Sequence, residues 1–359
     1  MRERLLVVGD IHLSNDWLDD AQDALQQILD IIRIKRVQHV VLLGDIYHRR
    51  DVSKGGEEEL LFHGFMHDVL THATVHVLVG NHDIADSSRI LTSEINNLGH
   101  ARVADKPEEW HIKDFPYKII AIPYQAHTRG EMKKWFEGVV KDLKLANSKS
   151  FMVFGHVPFV EAKLSGGRLA EVSDRYPTIQ TLESMDNYKM GIFGDIHIPQ
   201  DFGDRSKYAG SIRNNSFDVS GPKRVLMMEF ETGVYLGTTS IALNVIDTTT
   251  LHMPYSQACK YVSEIYKEGP SKTKLAIKLK VNCTQDEYKL GLPMLTDILN
   301  MVYDLRIEWE INRKKDFQPL TATDDIHMFE VYCDRHVERI SSGIIIKAKE
   351  AGREIIQSD

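Results

Sequence analysis

Gly9-Asp10-Ile11-His12, Gly44-Asp45, Gly80-Asn81-His82-Asp83, Gly155-His156 and Gly194-Asp195-Ile196-His197 share one construction. In each, a glycine is followed at once by a carboxylate, a carboxamide or an imidazole. These groups offer oxygen and nitrogen lone pairs, a mixed set suited to Mn²⁺, Fe or Zn, with Mg²⁺ a less natural occupant. One Gly-Asp is an ordinary turn or helix cap. Five such sites in one chain are residue types that seldom gather without binding something. His12 and His197 each stand two residues beyond an Asp, so each faces the same side as that Asp if the chain stays extended.

The elements that must position these residues are short apolar runs. Leu5-Leu6-Val7-Val8, Val40-Val41-Leu42-Leu43, Val75-His76-Val77-Leu78-Val79, Phe151-Met152-Val153-Phe154 and Met190-Gly191-Ile192-Phe193 each lead into one of the glycines. Such runs read as strands buried on both faces, typical of a parallel sheet whose carboxyl edge receives ligands. Between them, Trp17 to Ile34, Glu57 to Leu70, a segment holding Ile90, Leu91 and Ile95, and Arg129 to Leu145 read as helices. A strand from Tyr117 to Ile122 completes a βαβα alternation, hence an α/β fold. Segments 206–212, 224–230 and 237–245 predict a closing β-rich sheet.

The ordered series GD-x-H, GD, GNHD, GH, G-x-x-H resembles the calcineurin-like metallophosphoesterase superfamily. Gly44-Asp45-Ile46-Tyr47-His48, followed by Arg49-Arg50-Asp51-Val52-Ser53, resembles SbcD-type DNA nucleases. Tyr208-Ala209-Gly210-Ser211-Ile212, with Arg213 and Phe217 behind it, resembles their Tyr-x-Gly-Ser segment. The resemblance implies a metallophosphoesterase β-sandwich core flanked by helices and two divalent cations, Mn²⁺ first and Mg²⁺ second. Asp45 is best placed to bridge the two, since a carboxylate has one oxygen for each. By resemblance Asp10, His12 and His197 complete one metal, and Asn81, His156 and Asp195 the other. His82 then protonates the leaving oxygen, with Asp83 fixing its tautomer. His48 matches a position that touches the scissile phosphate, a solvated loop histidine being the alternative, and Tyr208, Ser211 and Arg213 are implied substrate-binding residues. Position 195 departs from the family, which usually has His there.

The resemblance also implies a function: a Mn²⁺-dependent DNA exonuclease and endonuclease subunit, acting in recombination, repair or end processing with an SbcC-type coiled-coil ATPase partner. A small-molecule phosphodiesterase or phosphoprotein phosphatase is the alternative in the same superfamily. A non-catalytic scaffold is a third reading. A homodimer is expected by resemblance, through helices around Leu60–Val69 and Ile90–Ile95, although those residues serve a core equally well.

With 359 residues, the chain is long enough for more than one domain. Its net charge of −8 argues against a coat protein that holds DNA by phosphate neutralisation alone, but not against a metal-bearing nuclease. No apolar run approaches the ~20 residues of a membrane span, and strand material by Leu5 leaves no room for a signal peptide. Cys259, Cys283 and Cys333 lack ligand-like spacing, so a reduced, cytoplasmic protein is expected. The expected domains are 1–247, a metallophosphoesterase domain; 248–320, an α+β capping domain; and 321–359, a helical segment. The polar Asp247-Thr248-Thr249-Thr250 marks the first boundary, and Tyr288 to Tyr303 reads as the cap's helix. Apolar residues at helical intervals between Asp325 and Ile356 either dock the ATPase or pack on the cap.

Overall fold

The computed structural model describes residues 2–84, 95, 101–112, 115, 117–126, 131–147, 149–164, 175–214, 216–217, 221–268, 275–284, 287–288 and 304–311. In chain order the elements are β1 (Arg2–Val8), α1 (Leu18–Lys35), β2 (His39–Leu42), α2 (Glu57–Leu70), β3 (Thr74–Leu78), β4 (Ala101–Ala104), β5 (Glu108–Trp110) and β6 (Lys118–Ile122). They continue with α3 (Met132–Asp142), β7 (Phe151–His156), α4 (Gln180–Glu183), β8 (Tyr188–Gly194), β9 (Gln200–Phe202), β10 (Ser206–Tyr208), β11 (Lys223–Glu231) and β12 (Val234–Leu243). β13 (Asp247–Pro254), α5 (Tyr255–Glu268), β14 (Leu275–Cys283) and β15 (Asp304–Ile311) follow.

Two six-stranded sheets form the body. One runs β12-β11-β1-β2-β3-β4, the other β5-β6-β7-β8-β10-β9. Within the first, β1 to β4 pair in parallel, while β11 joins β1 antiparallel. Within the second, β6, β7, β8 and β10 are parallel. The apolar runs are continuous because each strand feeds two cores. On β1, Leu6 and Val8 face a core shared with Leu25, Ile28 and Ile32 of α1. Its alternate residues Leu5 and Val7 face Phe154, Ile192 and Met228 in the layer between the sheets. β7 and β8 send Phe151, Val153 and Phe193 to a third core with Phe136 of α3. The architecture is therefore a β-sandwich flanked by helices, of mixed α/β class.

Helix α1 stops at Arg36, which turns left-handed (φ 53°) and donates its N–H to the carbonyls of Ile32 and Arg33. On α2, Phe62, Phe65, Met66 and Val69 are core, as is Ile95, whereas Leu60 is 62% exposed. The other residues of the segment holding Ile90 and Leu91 lie outside the described residues.

The polar stretch at 247–250, expected to mark a domain boundary, is the start of β13. Threonine's branched Cβ suits a pleated strand, and β13 pairs with β14 in a three-stranded sheet, β13-β14-β15. Helix α5 follows β13 directly, with Ala258 and Val262 buried. Ala276 of β14 packs with Ile246 and Phe217, so apolar contact continues across residue 247. Accordingly the chain divides into one compact unit of residues 1–281 with 293–308 and another of 282–292 with 309–359. The helix expected up to Tyr303 falls almost wholly outside the described residues, as does all of 321–359. Among the described residues no helix is long and apolar enough to cross a membrane.

His76 is the exception in the inter-sheet layer. It is 5% exposed, its ring centroid lies 5.0 Å from that of Trp110, and neither ring nitrogen has a hydrogen-bond partner. Burial, with His39 and Arg102 nearby, lowers its pKa to about 4. The unfolded chain, with an ordinary histidine, takes up a proton near pH 6.5 that the folded chain refuses. Stability is thus fully present above about pH 6.5 and falls by about 3 kcal/mol as pH drops towards 4. His76→Phe is expected to flatten that part of the profile, measured by urea denaturation at pH 7, 6, 5 and 4.

Candidate metal centre

Asp10, His12, Asp45, Asn81, His156, Asp195 and His197 all stand at the carboxyl ends of β1, β2, β3, β7 and β8. The first four come from one sheet and the last three from the other, and the structure brings them together. His156 shows how. Its Nδ1 lies 2.7 Å from the carbonyl oxygen of Leu43. A carbonyl can only accept, so Nδ1 carries the proton and Nε2 presents a lone pair. Facing that lone pair are Asn81 Oδ1 at 3.0 Å, Asp45 Oδ1 at 3.5 Å and Asp195 Oδ1 at 3.6 Å. Asn81 Oδ1 is itself 3.2 Å from Asp195 Oδ1 and from Asp45 Oδ2. Four acceptors converge with no donor among them. Either the amide turns its NH₂ inward or a cation fills the nest, and the donor set fits a cation.

A second group adjoins it. Asp10, His12 and His197 each offer a ligand atom within 4.8 Å of the others. The Nε2 atoms of His12 and His197 are 2.8 Å apart, and Asp10 Oδ2 is buried without a hydrogen-bond partner. Burial raises the Asp10 carboxyl to about 8 and lowers His197 to about 3; His12 is also lowered, by burial and then by His197. Burial likewise raises Asp45 and Asp195. An orphaned carboxylate oxygen beside neutral imidazoles is the environment a divalent cation satisfies. Asp45 serves both groups. Its Oδ2 is 3.5 Å from His12 Nε2, while its Oδ1 faces His156.

Backbone conformation helps to aim these groups. His12 (φ 50°), Asp45 (φ 50°) and Asp195 (φ 81°) are all left-handed, a costly state for non-glycine residues. Gly44 (φ 101°) and Gly80 let the two loops touch. A Cβ on Gly80 would overlap the Asp45 amide and carboxylate. Asp83, wholly buried, holds the same loops. Its carboxylate accepts the backbone N–H groups of Gly80 (2.8 Å), Asp45 (2.8 Å) and Ile46 (2.9 Å). The expected role of Asp83 is therefore corrected, because these hydrogen bonds go to backbone and not to the His82 ring. The tautomer of His82 is fixed by the carbonyl of His48, 2.6 Å from its Nδ1. The His48 ring stacks on His82 with centroids 5.8 Å apart, so His48 belongs to the site's rim and not to open solvent.

A family model described as Calcineurin-like phosphoesterase matches residues 3–199, more than half of the chain. The chain belongs to the calcineurin-like phosphoesterase family. Protein 078R of Invertebrate iridescent virus 3, provisionally described as a phosphoesterase, is 24% identical over 225 residues. That match takes in 60% of this chain and 59% of the viral protein, so the chain spans under two thirds of the relative's length. A dimetal phosphatase from Danio rerio is similar with TM-score 0.40 and 12% identity, over 67% of this chain and 98% of that one. A Staphylococcus aureus protein, provisionally described as a 5'-nucleotidase and solved with alpha-ketoglutarate, has TM-score 0.42 and 15% identity over 69% and 55%. At these scores the family assignment rests on the sequence match.

In this member of the family, three expected substrate contacts are buried. Tyr208, Ser211 and Arg213 are 0%, 0% and 1% exposed. The Tyr208 hydroxyl accepts from the Phe159 N–H at 2.9 Å and donates to the Val157 carbonyl. Arg213 donates to the carbonyl of His12 at 2.5 Å, and Ser211 Oγ to that of Arg213 at 2.8 Å. They hold the loops through backbone groups, as does Lys223, which no local motif signals.

Three outcomes are expected. Asp83→Ala strands three buried amide donors at a cost of at least ~3 kcal/mol, measurable by chemical denaturation. Asp195→Ala should weaken one Mn²⁺ in a calorimetric titration and leave the other unchanged, because Asp10, His12 and His197 keep their places. Asp195→His, trading a hard oxygen for nitrogen, should keep Mn²⁺ and lose Mg²⁺ affinity.

Proposed function

We propose that the chain hydrolyses small phosphodiesters at a two-cation centre, with His82 donating the proton to the leaving oxygen. One cation would be held by Asp10, His12, His197 and Asp45, the other by Asp45, Asn81, His156 and Asp195. When bound, divalent ions supply Lewis acidity, an acidified water and compensation for phosphoryl charge.

The observation that carries the reading is the anchoring of His82. Its backbone N–H donates to Asp45 Oδ1 at 2.9 Å, tying it to the residue shared by both groups. Its ring lies edge-on to His12, with centroids 4.9 Å apart. The His48 carbonyl accepts from Nδ1 whether the ring is neutral or protonated, so a proton is gained and lost at Nε2. Burial, and then His82 itself, lower the pKa of His48, whose ring stacks on that of His82. This suits general-acid transfer to an alkoxide.

DNA cleavage beside an SbcC-type ATPase, as a homodimer, is the second reading. The segment Gly44-Asp45-Ile46-Tyr47-His48 favours it, with His48 stacked on His82. It loses support from Tyr208, Ser211 and Arg213, which are buried. His82→Ala is expected to bind two Mn²⁺ and lose ~10²–10⁴-fold in rate. Mn²⁺-loaded protein should be assayed on bis(p-nitrophenyl) phosphate, p-nitrophenyl phosphate, and linear and branched DNA. Turnover of the first is expected. Turnover of DNA alone would establish the second reading, and loss of a metal in His82→Ala would make His82 a ligand.

A further inference from the structure

We propose that Lys223 and Arg213 are positioning residues that set the geometry of the Asp10–His12–His197 cation group by gripping its backbone from behind. Lys223 opens β11 and is 1% exposed. Its ammonium donates to Ser211 Oγ at 2.9 Å and reaches the His197 carbonyl at 3.4 Å. Ser211 donates its N–H to the same His197 carbonyl at 3.1 Å, and Ile212 donates its N–H to the Asp10 carbonyl at 3.0 Å. Arg213 closes the series on the carbonyl of His12. Each ligand of this group, apart from the shared Asp45, thus has its carbonyl held by residues 211–213 or Lys223.

The other group has no such grip. Among the described residues, neither Lys223 nor Ser211 is hydrogen-bonded to Asn81, His156 or Asp195. The asymmetry makes the inference specific to one cation. His12 also needs holding, because its left-handed backbone (φ 50°) is strained.

Two effects of Lys223 oppose each other. Its positive charge, facing Asp10 and Asp247, repels an incoming cation, whereas its hydrogen bonds keep His197 and Ser211 in register for one. A buried ammonium is costly unless it is well partnered, and here one partner is the His197 carbonyl and the other is Ser211, which donates its N–H to that same carbonyl. We infer that positioning outweighs repulsion. Loss of a residue that orients a ligand typically costs 10–100-fold in metal affinity.

The inference rests on the two-cation reading, and the test keeps the two apart. Metal-stripped, full-length protein is titrated calorimetrically with Mn²⁺ as wild type, Lys223→Met, Lys223→Arg and Ser211→Ala, with Asp195→Ala as reference for the other group. Lys223→Met should weaken one Mn²⁺ by 10-fold or more, and that site must be the one Asp195→Ala spares. Lys223→Arg should recover most of the affinity, and Ser211→Ala, which removes only a hydroxyl, should reproduce part of the loss should Lys223→Met fail to fold. Unchanged or tighter binding in Lys223→Met or Ser211→Ala overturns the inference, as does equal weakening of both sites. Wild-type protein that binds no Mn²⁺ would refute the two-cation reading itself.

Discussion

Two hydrogen bonds that cross from one sheet to the other hold the centre together: His156 Nδ1 to the Leu43 carbonyl, and the Asp195 amide to Asp10 Oδ1 at 3.2 Å. Parallel strands deliver polar residues to an edge, but two sheets have no inherent reason to place their edges in register. The first bond sets which nitrogen of His156 carries the lone pair. The second sets where Asp195 stands relative to Asp10. Without them, acceptors from separate sheets would not be kept within a few ångströms of one another against their mutual repulsion.

Asp83 does comparable work within one sheet. A buried carboxylate that accepts three amides behaves as a knot tying the β2 and β3 loops, although burial itself pushes its pKa upward. The His82 rim then follows from the backbone. Once the Asp45 and Gly80 turns are fixed, the His82 N–H meets Asp45 and the His82 ring meets the His48 carbonyl. Chemistry at this rim is set by main-chain atoms more than by side-chain pairs.

Much of this was legible in the sequence because glycine followed by a lone-pair residue, placed after an apolar run, is a local signal. Long-range contacts were not. Asp83 reads as an orienter of its neighbour His82, yet its amide partners at Asp45 and Ile46 are 38 and 37 residues away. Tyr208, Ser211 and Arg213 read as polar and available, but Tyr208 packs on Phe202 in the core beside α3, Ser211 is held by Lys223, and Arg213 is buried against the His12 carbonyl. Lys223 carried a faint signal. It alternates with Val225 and Met227, which face the α1 core, and period two puts all three on the inward side of β11. A lysine at a strand's start reads as solvated only when that alternation is ignored. The threonines at 248–250 show the opposite error, in which polarity masked a strand former.

Because the two ligand groups draw on both sheets, an ion bound between them acts as a fastener across the sandwich. His12 and His197, whose Nε2 atoms face each other, are 185 residues apart in the chain, so a shared ion would clasp a very long loop without a covalent bond. Binding confined to the folded state adds about 4 kcal/mol of stability when free ion exceeds its dissociation constant a thousandfold. Occupancy of the centre therefore becomes a mechanical property of the whole body. A chelator would loosen the two sheets' common edge as well as silence the site, and the melting temperature would serve as a gauge of ion supply.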